Sequence, residues 1–474
     1  MSLICISGSS GVGKTTISKI IQSVLGTNKS LCLSGDDLHR WERNNPAWKK
    51  TTHLHPESNN LDMGHAHLTT LKKGGSIDRR LYNHDTGEFD SLVTLTPKPY
   101  IIYEGLHALY HKPTLELADI KIYVDTDEQL KTEWKIKRDT KKRGYTENEV
   151  RDTIRRRQVD ERQYISPQRH NADIVVKFTK NADCSISLWY VCVTGRGDDL
   201  MLLVKDFYES LTQFMDICKW LSLEPTLVQG RGGNVSVKSA GGLIIKSSGA
   251  KMADVNLYHG FCVCDILSST LPKFVSDQDY SSYISASKKT GNHNPSMETG
   301  FHMSLPNRVV IHTHPIHLNA LLCSKESETV IESIFADMSY EFVEYTTPGV
   351  DLVNRITPKP NTNIFFLQNH GLIVGGSTSK EAIRLTEEIN NRCKRWLGSH
   401  VESFVDSEED LVQTNPPLFP DAAVFPTELC LTNNYILHLI QGSSLTPNFL
   451  GVDEIQKLVT MPLEKIRKSL QENK

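Results

Sequence analysis

Short apolar runs alternate with longer stretches of helical periodicity over the first 180 residues. The runs LICIS, YIIYEG, IKIYVD and DIVVKF have the length and β-branched content of buried strands. After the first run, apolar residues recur at helical spacing over 17–25, and Gly26 is expected to end that helix. Thr146 and Glu149 form the signature of a capped helix start. Strands that alternate with helices predict an α/β fold with a mostly parallel sheet.

The second half also reads as α/β, with its own pattern of strands and helices. Helical spacing predicts helices over 200–221, 297–305 and 379–397, the last ended by Gly398. Strands are expected around Val235 and Ile244, over 309–314, and in a run that ends at Leu367. The residues after Gly398 are expected to form an ordered tail.

The length of the chain, 474 residues, exceeds what one hydrophobic core usually serves, about 250–300 residues. The stretch SISLWYVCVTGRGDD has the pattern of a closing strand followed by a turn. We therefore place the boundary near residues 195–200 and predict two domains, 1–197 and 198–474.

Composition narrows the classes of partner. The net charge is −3, with 38% hydrophobic and 23% charged residues, which is ordinary for a globular protein and gives no reason to expect nucleic acid or a membrane. The first residues lack a signal-peptide pattern, and no run approaches the roughly 18 apolar residues of a membrane span. The ten cysteines include no C-x-x-C pair, as expected of reduced thiols in a cytoplasmic protein.

A glycine-rich segment after the first strand carries the pattern G-x-x-x-x-G-K-[ST]. Such a loop turns backbone N–H groups towards a triphosphate, the lysine reaches the outer phosphates, and the hydroxyl after it binds magnesium. Its position between an apolar strand and an amphipathic helix supports this interpretation over a plain glycine turn. The sequence therefore predicts a site for ATP and Mg²⁺ formed by Gly8, Ser9, Ser10, Gly11, Gly13, Lys14, Thr15 and Thr16.

Acidic residues follow two further strands. Asp36 and Asp37 stand beside His39 after the second strand, and Glu104 ends the run YIIYE. In open α/β sheets ligands bind at the carboxyl ends of the strands. One carboxylate there can accept the proton of a substrate hydroxyl, and another can hold magnesium or its waters. Two adjacent aspartates are also common in turns and helix caps, so the pair alone leaves both interpretations open.

Residues 1–180 resemble the phosphoribulokinase and uridine kinase family, and more closely its phosphoribulokinase branch. The motifs are GDDLHRWER, HPESNNLD, LYNHDTGEFD, YIIYEGLHALY, EWKIKRDTKKRG and YISPQRHNADIVVKF. The resemblance implies a P-loop kinase with Asp36 as catalytic base and Glu104 as the magnesium-linked acid. It also implies that Lys135 and Arg138 stabilise the transferring phosphoryl group, and that an anionic sugar is held by His39, Arg43, His84 and Arg143. Trp41 and Glu42 depart from the expected sugar-site pattern.

Three histidines in the second half have the arrangement of a catalytic metal site. His312 and His314 lie two apart on a predicted strand, so their side chains share one face. His370 follows the strand NIFFLQ. Three imidazoles with an open position are typical of catalytic zinc. Glu298, near a predicted helix start, could serve as the base, although glutamate there is often only a cap.

Residues 200–425 resemble the class II aldolase and adducin superfamily, with GRGGNVSVK, IKSSGAKM, NPSMETGFH, VVIHTHP and QNHGLIVGG in that order. The resemblance implies that His312, His314 and His370 bind Zn²⁺ and that Glu298 is used to form an enediolate from the substrate. It also implies a homo-oligomer, with a tetramer favoured, in which Tyr345 acts from a neighbouring subunit. Residues matching the phosphate grip are Asn234, Ser248, Gly249 and Ser296. Met297 replaces a second phosphate-binding serine, and a glutamate at position 298 disfavours the epimerase branch.

We therefore expect a bifunctional carbohydrate enzyme that acts on a small sugar or sugar phosphate. One half would be an ATP-dependent kinase and the other a zinc-dependent aldolase acting on a ketose phosphate. An alternative keeps both folds but makes the second half a dehydratase or decarboxylase. A further alternative makes it a non-catalytic, adducin-like assembly module, which the intact set of three histidines and Glu298 argues against.

Overall fold

The computed structural model describes residues 1–267, 271–291, 293–356, 358–359, 361–398, 415–462 and 464. Internal contacts divide the chain into two compact units, Met1–Glu209 and Ser210–Lys474. The helix Asp198–Ser222 runs through this division. The boundary expected between residues 197 and 198 stays a prediction.

The first unit is built around one sheet. Its strands are β1 (Ser2–Ser7), β2 (Ser30–Ser34), β3 (Ile77–Tyr82), β4 (Phe89–Leu95), β5 (Tyr100–Glu104), β6 (Ile120–Thr126), β7 (Ile174–Lys180) and β8 (Ile186–Cys192). Its helices are α1 (Lys14–Leu25), α2 (Leu61–Lys72), α3 (Lys112–Leu117), α4 (Glu128–Arg143), α5 (Glu147–Asp160) and the first part of α6 (Asp198–Ser222). The predicted helix end at Gly26 and the capping box of Thr146 and Glu149 are confirmed.

The main sheet has the strand order β2-β5-β1-β6-β7-β8 among the described residues. The first five strands run parallel, and β8 pairs antiparallel with β7. The predicted, mostly parallel α/β architecture is confirmed. Glu104, at the end of β5, is in register with Ser34 of β2 and Ile6 of β1. The carboxyl ends of these three strands therefore meet at one edge of the sheet.

The antiparallel hairpin of β3 and β4 was not predicted. Arg79 occupies a buried position in β3, and its Nε lies 3.3 Å from Oδ2 of Asp37. A buried arginine breaks the apolar alternation by which a strand is recognised. Gly87 in the turn has a φ of 83°, and a Cβ there would lie 2.6 Å from the Cβ of Arg43. The glycine lets the hairpin turn pack against the segment that carries Arg43.

The second unit contains a mixed sheet with helices. Its strands are β9 (Asn234–Ser239), β10 (Gly242–Lys246), β11 (Phe261–Cys264), β12 (Lys288–Thr290), β13 (Val309–Thr313), β14 (Glu341–Val343), β15 (Ile364–Leu367) and β16 (Gly371–Gly376). After α6 its helices are α7 (Asp277–Ser287), α8 (Thr299–Ser304), α9 (Ile316–Leu322), α10 (Ser327–Phe335), α11 (Val350–Arg355), α12 (Ser379–Leu397), α13 (Pro420–Val424), α14 (Cys430–Gly442) and α15 (Val452–Thr460).

Within the described ranges this sheet has the order β12-β11-β10-β9-β13-β16-β15-β14. The central strand β13 pairs antiparallel with both neighbours, and His312 is in register with Asn234 of β9 and Ile373 of β16. The predicted strands and the helices over 200–221 and 379–397 are confirmed. The helix expected over 297–305 is shorter, because Glu298 is its N-cap and α8 starts at the next residue.

The segment after Gly398 was expected to form an ordered tail. Residues 399–414, 463 and 465–474 of that tail lie outside the described residues. Residues 415–462 form loops and the helices α13, α14 and α15. In the parts of the chain that the structure describes, no helix combines the length and apolar character needed to cross a membrane.

Candidate functional sites

The phosphate-binding loop connects β1 to α1 at the carboxyl edge of the parallel sheet. Gly8, Gly11 and Gly13 have φ values of 148°, 89° and 97°, where residues with a Cβ are strained. A Cβ at Gly8 would lie 2.4 Å from the carbonyl oxygen of Val124, and one at Gly13 would lie 2.7 Å from the ring of Phe178. Backbone conformation and packing therefore both require glycine in this loop.

Lys14 and Thr15, at the start of α1, have different polar partners. The Nζ of Lys14 donates to the carbonyl oxygen of Ser9 at 2.8 Å. The hydroxyl of Thr15 donates to Oε1 of Glu104 at 3.0 Å. Burial raises the pKa of Glu104, and the charge of Lys14 opposes this. A hydroxyl beside a carboxylate fits the oxygen ligands that Mg²⁺ prefers.

Two histidines flank the carboxylate of Asp36. Nε2 of His84 lies 3.2 Å from Oδ2 of Asp36, and Nε2 of His39 lies 3.7 Å from Oδ1. Burial raises the pKa of Asp36, but the hydrogen bond from His84 and the positive charges of His39 and Lys14 outweigh it and hold the pKa well below its usual range. Asp36 is therefore ionised at neutral pH, the form that accepts a proton from a hydroxyl.

Arg143 fixes the orientation of His84. Its Nη2 donates to Nδ1 of that ring at 3.3 Å, and a guanidinium can only donate. Nδ1 is therefore the acceptor, and the ring proton on Nε2 faces Asp36. Arg143 also lies 3.4 Å from Oδ1 of Asp139, which accepts a hydrogen bond from Nε of Arg138 at 2.8 Å. The structure thus brings together the cations that the sequence placed on one helix.

Lys135 is buried on α4 and donates to the hydroxyl of Ser10 at 3.3 Å. Burial, with Arg157 and Arg138 nearby, lowers the pKa of Lys135 to about 7. Arg157 was not predicted as a site residue. It lines a small cavity with Ser10 and Lys135, and burial lowers its pKa to about 10. The sequence signal was the basic run RRR at 155–157, but spacing alone does not tell which of its members turns inward.

Arg43 and His39, both predicted to hold the sugar, have different surroundings: Arg43 makes hydrogen bonds to the backbone, whereas His39 faces a cavity. The Arg43 guanidinium donates to the backbone carbonyl oxygens of His84 and Asp85, so it holds the hairpin loop that carries His84. His39 is buried, and among the described residues neither of its ring nitrogens has a hydrogen-bond partner. It lines a cavity of about 670 Å³ that Trp41 also borders.

His312, His314 and His370 come together in the second unit. One ligand atom from each lies within 4.8 Å of the others, and all three side chains are buried. Nε2 of His312 lies 3.1 Å from Nε2 of His314. Burial lowers the pKa of His312, against the nearby charge of Glu298. The neutral imidazole that results is the form that binds a metal.

The donor atoms fit a four-coordinate cation. Nitrogen ligands 2.0–2.1 Å from zinc in a tetrahedral site lie about 3.3 Å apart, close to the observed spacing of His312 and His314. Glu298 lies beside them, with Oε2 at 3.4 Å from Nε2 of His312 and Oε1 at 3.5 Å from Nε2 of His370. That Oε1 atom is buried without a hydrogen-bond partner in the described part of the chain. A cation at the centre would satisfy it.

A buried network holds Glu298. The side-chain amide of Asn234 donates to Oε2 of Glu298 at 2.8 Å and to the hydroxyl of Ser296 at 3.2 Å. Its carbonyl oxygen accepts from Nε2 of His302, whose Nδ1 accepts from the hydroxyl of Ser236 at 2.8 Å. His302 was missed by the sequence analysis, although it is the last residue of the motif NPSMETGFH. Asn234 therefore orients the acid, and its expected role in holding a substrate phosphate stays a prediction.

The other predicted phosphate ligands follow β10. Ser248 donates its backbone N–H to the carbonyl oxygen of Asn294 at 2.9 Å. Gly249, with a φ of 74°, accepts a hydrogen bond from Arg231 on its carbonyl oxygen. Arg231 therefore places a cation near this loop that the sequence analysis had not singled out.

Tyr345 faces the C-terminal helix of its own chain. Its hydroxyl donates to Oε1 of Glu454 on α15 at 2.8 Å, and the hydroxyl of Thr347 donates to the same atom at 2.9 Å. Burial and then the Glu454 carboxylate raise the pKa of Tyr345. Action of Tyr345 from a neighbouring subunit stays a prediction.

Asp421 was missed altogether. It lies on α13, with Oδ2 at 3.4 Å from Nδ1 of His314. None of the motifs includes it, and its separation from His314 along the chain leaves no spacing pattern by which it could be found.

Known proteins resemble the two halves separately. Residues 3–185 match the model of the Phosphoribulokinase / Uridine kinase family, and residues 212–397 match that of the Class II Aldolase and Adducin N-terminal domain. The phosphoribulokinase of Synechocystis sp. is 36% identical over 175 residues, which cover 37% of this chain and 53% of that protein. The uridine kinase of Staphylococcus aureus is 31% identical over 180 residues, covering 37% of this chain and 86% of that protein.

The chain spans about half the length of the curated phosphoribulokinases it matches. Among solved structures, the N-terminal class II aldolase domain of a conserved protein from Thermoplasma acidophilum is 24% identical, covers 40% of this chain and 93% of that chain, and has a TM-score of 0.36.

Proposed function

This chain belongs through its N-terminal half to the Phosphoribulokinase / Uridine kinase family, and on that premise we propose that this half transfers the γ-phosphoryl group of ATP to a sugar hydroxyl. Asp36 accepts the hydroxyl proton as the oxygen attacks phosphorus. Lys14, Lys135 and Arg138 stabilise the charge on the transferring group, since fixed cations at developing phosphate charge lower the barrier by several kcal/mol. Thr15 and Glu104 would hold Mg²⁺, which would neutralise further charge on the phosphates when bound.

The sugar would be anionic. Arg143 supplies positive charge on the far side of His84, and Arg43 holds the loop that presents His84. Burial lowers the pKa of His39, so this ring would contact the sugar as a neutral imidazole. Relatives of the N-terminal half include phosphoribulokinases, so a pentulose phosphate is the first substrate to test. The single observation that carries the kinase proposal is the contact of His84 with the carboxylate of Asp36, at the edge of the sheet where the phosphate loop begins.

The C-terminal half matches the Class II Aldolase and Adducin N-terminal domain, and we propose that it is a metal-dependent aldolase for a ketose phosphate. A divalent ion held by His312, His314 and His370, most simply Zn²⁺, would polarise the substrate carbonyl. In the cleavage direction, Glu298 would accept the proton of the hydroxyl on carbon four as the bond between carbons three and four breaks. Carbon four becomes the aldehyde, the electron pair of the broken bond stays with carbon three, and Glu298 would return the proton to carbon three. Asn234 keeps Glu298 oriented for both steps.

The substrate phosphate would be held near Ser248, Gly249 and Ser296, with Arg231 close to the same loop. The aldolase-like half would assemble as a homo-oligomer, with a tetramer favoured, in which Tyr345 serves a neighbouring site. The single observation that carries the aldolase proposal is the convergence of three buried imidazoles beside Glu298.

One experiment tests both activities on the full chain. The purified protein is incubated with ATP, Mg²⁺, Zn²⁺ and a panel of pentoses, pentuloses and their phosphates, while ADP and released aldehyde are measured. We expect ADP with at least one sugar, and aldehyde with at least one ketose phosphate. Aldehyde without any requirement for the metal, or no sugar-dependent ADP, would contradict the corresponding half of the proposal.

A further inference from the structure

The segment that follows the matched aldolase domain contributes a carboxylate to the histidine cluster. We propose that Asp421 is a positioning residue of this site, which fixes the ring of His314 so that its Nε2 lone pair faces the metal. The inference rests on the proposed metal site of the C-terminal half. Asp421 lies on α13, beyond residues 212–397 that match the domain model.

The geometry places the two ring nitrogens of His314 in different surroundings. Nδ1 lies 3.4 Å from Oδ2 of Asp421, and Nε2 lies 3.1 Å from Nε2 of His312. Both Asp421 and His314 are buried, with exposed fractions of 7% and 6%. A histidine whose Nδ1–H donates a hydrogen bond to a carboxylate has an unprotonated Nε2 and is a stronger metal ligand.

The backbone leaves room for this contact at Gly232. A Cβ at that position would lie 2.7 Å from Oδ2 of Asp421 and 3.0 Å from Nδ1 of His314. Any side chain there would push the carboxylate and the imidazole apart. The approach of Asp421 to His314 therefore explains why position 232, within the GRGGN motif, is a glycine.

His312 has a corresponding partner of a different kind. Its Nδ1 lies 2.9 Å from the backbone carbonyl oxygen of Leu372. That oxygen accepts a hydrogen bond from Nδ1–H, so Nε2 is again the nitrogen left for the metal. The acceptor for His312 comes from the central sheet, whereas the acceptor for His314 comes from α13. The helix after the matched domain is thus part of the site and not only packing around it.

The test measures zinc affinity on the full chain by competition with a chromophoric chelator. We expect Asp421→Ala to weaken zinc binding about 10–100-fold, the usual effect of losing such a partner. Asp421→Asn retains an oxygen that can accept the Nδ1 proton, so it should recover much of the affinity. The matched control is Asp453→Asn, an exposed acid of the same C-terminal segment, which should bind zinc like the unmodified protein.

Cobalt supplies a readout that a general loss of packing would not reproduce. In the Co²⁺-loaded protein, the visible absorption bands should change in Asp421→Ala and stay close to the original in Asp421→Asn. Equal zinc affinity and equal cobalt spectra in the unmodified protein, Asp421→Ala and Asp421→Asn would overturn the role of Asp421. Zinc affinity that is unchanged in a His312→Ala, His370→Ala double variant would instead overturn the metal site itself, and the inference with it.

Discussion

Nε2 of His84 lies 3.2 Å from Oδ2 of Asp36, and the proton on that nitrogen is fixed by the contact of Arg143 with the opposite side of the ring. The three residues come from the loop after β2, the β3–β4 hairpin and the helix α4. Their arrangement keeps a partly buried carboxylate ionised and oriented. The orientation and the charge of Asp36, the candidate base, therefore depend on three separate elements of the first unit.

Replacing Asp36 with asparagine removes the base but nearly preserves the shape of the side chain. We expect Asp36→Asn to lower the turnover of the kinase reaction by at least about 100-fold, the usual contribution of a positioned general base. The measurement is sugar-dependent ADP release at saturating ATP. Asp152→Asn is the control, because the pair of Asp152 with Arg155 is largely exposed and such pairs contribute little. A correctly folded Asp36→Asn protein with unchanged turnover would refute the assignment.

The grouping of site residues at the carboxyl edge of the parallel sheet could be predicted, because it follows from the order in which strands and helices are connected. Apolar runs that alternate with helices place the carboxyl ends of successive strands together, so the phosphate loop, Asp36 and Glu104 had to meet. The tautomer of His84 and the partners of Arg43 could not be predicted. They depend on the β3–β4 hairpin, whose strand pattern is obscured by the buried pair of Arg79 and Asp37.

The histidine site of the second unit also has features that the sequence predicted and features that it could not predict. The spacing of His312 and His314 on one strand predicted their shared face, and the motif around His370 placed it at a strand end. Asp421 approaches His314 from a helix far along the chain, and Glu454 approaches Tyr345 from another. Such contacts arise from packing between distant segments, which leaves no periodicity in the sequence.

The charge of Lys135 should couple nucleotide binding to pH. Its pKa is lowered to about 7, from the usual value for a lysine, so above neutral pH the free protein holds it mostly unprotonated. A bound triphosphate favours the charged lysine. ATP binding should therefore take up protons above about pH 7, and the contribution of Lys135 to ATP affinity should fall as pH rises.

Arginine at the same position stays charged over this range. We expect Lys135→Arg to lose the extra proton uptake and to show a flatter fall of ATP affinity with pH. Calorimetric titrations in two buffers of different ionisation enthalpy, repeated at several pH values, measure both quantities. The ionisation of ATP itself is common to both proteins, so their difference isolates the lysine. Identical proton uptake by both proteins would contradict this prediction.

Tyr345 offers a test of assembly by complementation. We expect Tyr345→Phe and Glu298→Gln each to lack aldolase activity as separate homo-oligomers. Co-expressed as mixed oligomers, they should recover activity, because some sites would combine Glu298 of one chain with Tyr345 of its neighbour. Light scattering should give the mass of a tetramer. A mixed oligomer without activity would show that Tyr345 acts inside its own chain, where its hydroxyl already meets Glu454.

We expect the two halves to share one chain because they act on the same sugar in sequence. The kinase half carries cations suited to the existing phosphate of a pentulose phosphate, and the phosphoryl group would go to the primary hydroxyl at carbon one. The aldolase half carries residues expected to hold a phosphate at carbon one of a ketose. The kinase product would then be the aldolase substrate, and a shared chain can give an effective concentration in about the millimolar range.

Cleavage of that product between carbons three and four would give dihydroxyacetone phosphate and a two-carbon aldehyde, phosphorylated if the starting pentulose was. The protein is supplied with ATP and candidate pentulose phosphates, and dihydroxyacetone phosphate is measured by a coupled assay. Glu298→Gln should accumulate the phosphorylated ketose, because the aldolase acid is lost while the kinase site is unchanged. Lys14→Ala should release no dihydroxyacetone phosphate from a pentulose phosphate that carries no phosphate at carbon one, since its phosphate loop lacks the lysine. Release by Lys14→Ala, or no accumulation by Glu298→Gln, would mean that the two halves act on unrelated substrates.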